Sequence, residues 1–230
     1  MTGMKSSTFV LIHGAWHGGW CWQRVANILQ NSGHTVHAPT LTGVGERSHL
    51  SNEHINLTTH VLDVVNEVKW KRLDNVILCA HSYGGMVITG AAEHIHNNIS
   101  SIVYVDAFLP RNGQSLDDIV GAPGPATNGM AIPITAEQFN VNAADRDWVN
   151  AQMTPQSAAC FSERPVLTGA INKIAKKTYV LAKIGTLPHF QANFDRLSSN
   201  STWRTHAVDC GHDVMIDKPA ELARILTSAI

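Results

Sequence analysis

Ser82 lies in the stretch DNVILCAHSYGGMV (Asp74 to Val87), after an apolar run and just before two glycines. A serine hydroxyl is a weak nucleophile at neutral pH, so it needs a base within hydrogen-bond reach and an exposed position on a sharp turn. The strand-to-helix elbow G-x-S-x-G supplies that position, with small residues two before and two after the serine, where the tight turn brings backbones together. Ala80 and Gly84 occupy those places here. Alanine adds one methyl, a small change in the pattern. The plainer alternative for Ser82 is a helix N-cap, which serine fills well. A helix starting at this point would also turn its free N–H groups and positive dipole end toward a developing oxyanion.

The first loop, LIHGAWHGGW, places His13-Gly14-Ala15 where a second oxyanion donor belongs. The backbone N–H groups of Ala15 and Tyr83 are the candidate pair; the alternative for this loop is a glycine-rich turn that only starts a helix. Thirteen histidines are present, so position must select the base. His212 follows a strand pattern, sits in a glycine-containing loop and precedes the last helix pattern. His81 is too near Ser82 in sequence to serve it easily, His13 belongs to the oxyanion motif, and His94 and His96 fall on a helix.

These residues need elements to hold them. TFVLI (Thr8 to Ile12) predicts a buried strand, and Trp22, Val25, Ile28 and Leu29 recur at helical spacing until Gly33 offers a C-cap. Thr35 to Pro39 predicts a second strand. Val61, Val64, Val65 and Val68 mark one face of a helix with Thr58 or Thr59 as its N-cap. Val76 to Ala80, SSIVYVDAF, KTYVLAKI and WRTHAVD supply further strands, and Pro219 to Ile230 a final helix. Alternating strands and helices imply a mostly parallel sheet flanked by helices, with ligands at the strands' carboxyl ends. From Pro110 to about Ile174 this alternation gives way to Gly, Pro and Asn punctuation, which reads as a small inserted cap on a single domain over 1–230. Phe139, Trp148, Met153 and Phe161 there either line an apolar pocket or pack the cap itself.

Composition narrows the function. With 44% apolar residues, 15% charged and a formal net charge of −1, nothing in the composition points to a nucleic-acid groove or a polybasic membrane surface. A small uncharged substrate fits better. The apolar run from Phe9 to Ile12 is too short to span a bilayer, and the N-terminus lacks a signal-peptide pattern, so a cytoplasmic location is expected. Cys21, Cys79, Cys160 and Cys210 form no CxxC pair and no zinc-spaced set, which leaves buried free thiols as the expectation.

Taken together, LIHGAWHGGWCW, GHTVHAPTLTGVG, AHSYGGMV and CGHDVM resemble the α/β-hydrolase superfamily, in the branch of plant methyl esterases, hydroxynitrile lyases and bacterial ester or pyrethroid hydrolases. The resemblance implies a serine esterase without cofactor or metal, acting on a small hydrophobic ester through an acyl-enzyme, and a homodimer. It places the catalytic histidine at His212. It also exposes a departure. In methyl esterases the acid follows the penultimate strand, whereas KTYVLAKIGTLPHF contains no Asp or Glu, and Ile184 and Gly185 stand near that place.

Asp106, ending SSIVYVDAF, is the best substitute, since a triad is defined by geometry and a charged Asp finishing an apolar strand needs a partner. Its alternatives are a turn cap or a structural ion pair; Asp209 and Asp195 trail. Phe108 and Trp148 are the candidate substrate contacts. A lyase would want a threonine in the first loop and a lysine after the histidine, where this chain has Gly14 and Asp213. A non-catalytic ligand-binding member of the fold is the third reading.

Overall fold

Thr8–Ile12 forms β1, buried along nearly its whole length as a central parallel strand must be. The structure is a computed structural model that describes residues 6–230. In chain order β1 is followed by α1 (Gln23–Asn31), β2 (Thr35–His37), α2 (Leu57–Trp70), β3 (Val76–His81), α3 (Gly84–Ile95) and β4 (Ile99–Val105). After a long interruption come β8 (Lys176–Ala182), α7 (Pro188–Ser198), β9 (Trp203–Val208), α8 (Val214–Asp217) and α9 (Pro219–Ser228). The interruption carries short pieces only: α4 (Leu116–Val120), β5 (Ala126–Thr127), β6 (Met130–Ala131), α5 (Arg146–Gln152), β7 (Gln156–Ser157) and α6 (Ala159–Ser162).

The main sheet has six strands in the order β2-β1-β3-β4-β8-β9, every neighbouring pair parallel. One apolar layer packs α2, α3 and α7 on one face of the sheet through residues such as Val64, Val87, Ile88 and Phe190. The other packs α1, α8 and α9 on the opposite face through Val25, Leu29, Met215 and Leu226. Within the interruption β5, β6 and β7 form a small antiparallel sheet.

The strand pattern of the sequence matches the six strands, because β-branched and apolar runs bounded by Gly, Pro and Asn leave little choice. The start of α2 differs. Its N-cap is Asn56, whose side chain accepts the Thr59 N–H at 3.0 Å, while Thr59 faces back to the Asn56 N–H in a capping box. Asn caps as well as Thr, so the helix begins earlier than either threonine suggested. Glycines in α3 permit close approach: a Cβ on Gly90 would sit 2.6 Å from Val61 of α2, and one on Gly84 2.6 Å from the His13 carbonyl oxygen. All four cysteines are buried and free, and burial pushes the Cys160 thiol up to about 12. Among the described residues no helix is long and apolar enough to cross a membrane.

Candidate active site

The carboxyl ends of β1, β3, β4, β8 and β9 meet on one edge of the sheet and open onto a cavity of about 260 Å³. Ser82 follows β3 in a left-handed conformation, φ 51°. Such a conformation costs about 1–3 kcal/mol outside glycine and persists only where surrounding bonds hold it. Here the Ser82 N–H donates to Val105 at 3.2 Å, and its carbonyl accepts from Gly85 at 3.0 Å and Phe108 at 3.1 Å. The N-cap of α3 is Tyr83, with no side-chain capping bond, so Ser82 is not spent as a helix cap. Its side chain lines the cavity.

Asp106 ends β4 in the same left-handed region, φ 43°, and is buried. One carboxylate oxygen accepts the Ala182 N–H at 3.0 Å and the other accepts His212 Nδ1–H at 2.6 Å. With its proton held on Nδ1, the imidazole presents Nε2 as an acceptor. The ring stacks against Phe139 at 5.2 Å and Phe190 at 5.5 Å, and the His212 N–H donates to the Phe139 carbonyl at 2.9 Å. His212 and Ser82 share the cavity wall. The end of β8, which carries no acid, thus supplies an N–H to the carboxylate of β4 instead. Asp209 is exposed and faces Lys183 at 3.6 Å, and Asp195 accepts from Gln191 on α7, so neither reaches His212.

In the first loop, burial drives the His13 pKa down to about 3, so the ring is neutral. Leu41 N–H donates to its Nε2 at 3.0 Å, which leaves the proton on Nδ1 to donate to the Gly14 carbonyl at 2.8 Å. A planar trans peptide then directs the Ala15 N–H away from His13. Among the described residues no hydrogen bond uses the Ala15 or Tyr83 N–H. The Tyr83 hydroxyl points into the core and bonds His60 Nδ1 at 2.9 Å.

The cavity wall is mostly apolar, with Trp16, Phe108, Phe161, Phe190, Leu187 and Ile134 set against Gln138, Asn140 and Asp117. Phe108, a candidate substrate contact from the sequence, is on the wall. Trp148 is not: it packs edge-on against Trp20 at 5.1 Å with the Arg24 guanidinium 5.3 Å from its ring, away from the cavity lining. Met153 likewise packs into the layer beneath α1 rather than the cavity. Residue type marks both as apolar but does not say which neighbour claims them.

Sequence reading missed a buried cluster behind the site. His17 Nε2 lies 3.2 Å from Asp213 Oδ2, and His81 Nε2 lies 3.6 Å from Asp213 Oδ1 while donating to the His212 carbonyl at 3.0 Å. Burial alone would raise Asp213 and lower His17, but their mutual attraction outweighs it: the carboxyl is held well below its ordinary range and the imidazole above 6.5. Burial holds His81 well below its ordinary value, so it is neutral. The depressed acid stabilises the fold above its unfolded pKa of 3.8 and is lost as pH falls through its folded value; the raised base stabilises it below 6.5 and is lost as pH rises through its folded value. The melting temperature is therefore expected to be highest between about pH 4 and 6.5 and to fall above that window. Scanning calorimetry should find this alkaline decline flattened in the neutral double variant His17→Gln/Asp213→Asn; an identical slope in both proteins would refute the assignment.

The profile of the alpha/beta hydrolase family matches residues 9–225. A carbendazim hydrolyzing esterase of Nocardioides is 41% identical over 96% of this chain and 99% of its own length. Methyl jasmonate esterase 1 of Vitis vinifera is 38% identical over 44% of this chain and 40% of its own length. Among solved structures, an extracellular alpha/beta-hydrolase from a Paenibacillus species superimposes with a TM-score of 0.81 at 25% identity, covering 97% of this chain and 98% of that one.

Proposed function

The chain belongs to the alpha/beta hydrolase family, and from that premise we propose that it is a serine esterase in which Ser82, His212 and Asp106 are nucleophile, base and acid. The observation that carries this reading is the 2.6 Å bond from His212 Nδ1–H to a buried carboxylate, at a cavity that Ser82 also lines. His212 Nε2 takes the Ser82 proton as the oxygen attacks the ester carbonyl carbon. The Ala15 and Tyr83 N–H groups receive the oxyanion. The alkoxy group leaves with the proton from His212; water, deprotonated by the same nitrogen, then attacks the acyl-enzyme, and as the acyl–oxygen bond breaks Ser82 takes that proton back and the carboxylic acid is released.

The apolar wall favours a small hydrophobic ester, with Phe108 against the bound group. Carbendazim, which the Nocardioides relative matching 96% of this chain hydrolyses, belongs in the substrate panel beside aryl and methyl esters. We take residues 110–174 as a cap on a single domain, and a cytoplasmic homodimer as the working form. Fractionation of host cells separates that location from the extracellular one of the Paenibacillus relative, and analytical ultracentrifugation reads the oligomer.

The direct test is a fluorophosphonate probe followed by peptide mass analysis. One equivalent is expected on Ser82, with labelling lost in His212→Ala. Labelling elsewhere, or of equal rate without His212, would remove the proposed assignment.

A further inference from the structure

The Ala15–Trp16 peptide, next along the chain from the proposed oxyanion donor, is held at both ends. Its carbonyl accepts His17 Nδ1–H at 2.7 Å, and its N–H donates to Gln156 Oε1 at 2.9 Å. Trp16 has φ 63°, a left-handed conformation that a bulky residue keeps only under restraint. The other nitrogen of His17 meets the Asp213 carboxylate at 3.2 Å. A carbonyl and a carboxylate can only accept, so both ring nitrogens of His17 carry protons and the pair is an imidazolium and a carboxylate. Both side chains are essentially shut off from solvent, at 1% and 0% exposure. Around them stand His81 of β3 at 3.6 Å from Asp213, the Trp20 indole stacked on His17 at 5.1 Å and the Phe139 ring at 5.8 Å, while His212 and the Cys21 thiol face Asp213 and His13 faces His17.

We propose that the His17–Asp213 ion pair, with Gln156, forms a positioning clasp for the oxyanion site. Asp213 is the residue after His212, so the pair ties the loop bearing the Ala15 N–H to the loop bearing the base. Gln156, from β7, grips the same peptide from the other side. The proposal rests on the reading of Ala15 as oxyanion donor and His212 as base. Those two groups act on one substrate together, so the separation of their loops must be fixed. Apolar residues would fill the same space with no desolvation to offset, whereas a bidentate imidazolium adds direction. Its two N–H vectors orient one peptide against one carboxylate.

The test uses Gln156→Met, Asp213→Asn and His17→Gln/Asp213→Asn, with Ser82→Ala as reference. The double variant leaves no charge buried alone, and Gln156→Met leaves the pair intact, so a folded protein is available whatever Asp213→Asn does. Turnover is normalised to Ser82 sites titrated with the fluorophosphonate, and affinity is measured for a trifluoromethyl ketone, whose adduct places an oxyanion in the site. The clasp predicts that kcat per titrated site falls on the order of 10- to 100-fold with KM nearly constant, and that ketone affinity falls in parallel. If kcat per site and ketone affinity stay within about twofold of the parent in all folded variants, the pair and Gln156 serve stability alone and the clasp is refuted. Turnover surviving in Ser82→Ala would instead overturn the reading beneath it.

Discussion

Replacing Asp106 with Asn is expected to lower kcat by about 10⁴-fold while leaving the fold and the KM for a short aryl ester nearly unchanged. The substitution is isosteric. One side-chain oxygen can still accept the Ala182 N–H, now bonded at 3.0 Å. The position facing His212 Nδ1 then becomes an NH2 group, a donor where a carboxylate oxygen accepts at 2.6 Å. The imidazole must answer with its lone pair on Nδ1 and its proton on Nε2. In that tautomer it cannot take a proton from Ser82, and no negative charge remains to stabilise the imidazolium formed during reaction. A kcat within tenfold of the parent would exclude Asp106 as the acid, because among the described residues no other carboxylate bonds this ring: Asp213 is committed to His17, and Asp209 and Asp195 point elsewhere. Circular dichroism and the melting temperature, measured on the same preparation, separate this effect from unfolding.

Ser82→Ala is expected to show the larger loss, about 10⁶-fold in kcat, with only the oxyanion donors and binding left to act. Stability should hardly move. Alanine keeps a Cβ in the left-handed conformation, so the backbone strain at φ 51° is unchanged, and the bonds to Val105, Gly85 and Phe108 are all made by the main chain. The hydroxyl does not cap α3, so no helix-terminal bond is lost. A melting temperature near that of the parent, with no fluorophosphonate labelling and no turnover, is the expected result; persistent turnover would place the nucleophile elsewhere.

The motifs around Ser82, Ala15 and His212 are readable because each depends on a few consecutive residues. A tight turn demands small neighbours, a strand demands β-branched and apolar runs, and both demands are met locally in AHSYGG and LIHGAW. Trp148 shows the limit of that reading. Its size and apolar character make it a candidate for a pocket wall, yet whether it meets the cavity or Trp20 depends on how the whole segment lies over the sheet. Asp213 was legible only as the absence of a lysine after His212. Its role as partner of His17 requires two loops far apart in the chain to come together. A charged residue flanked by Gly-His and by the apolar Val-Met-Ile run was the one available signal that it would be buried and therefore paired.

By itself, then, the sequence determined the parallel α/β sheet, the elbow that exposes Ser82, and the loop identity of His212, since these follow from short-range sterics and hydrophobic periodicity. It also singled out Asp106 among the carboxylates, but only the tertiary structure brings that carboxylate to the imidazole. The sheet order sets β4 beside β8, so a carboxylate at the end of β4 takes an N–H from Ala182 and still reaches the loop after β9. That distance is fixed by strand packing between segments more than a hundred residues apart, and no local pattern in the chain encodes it.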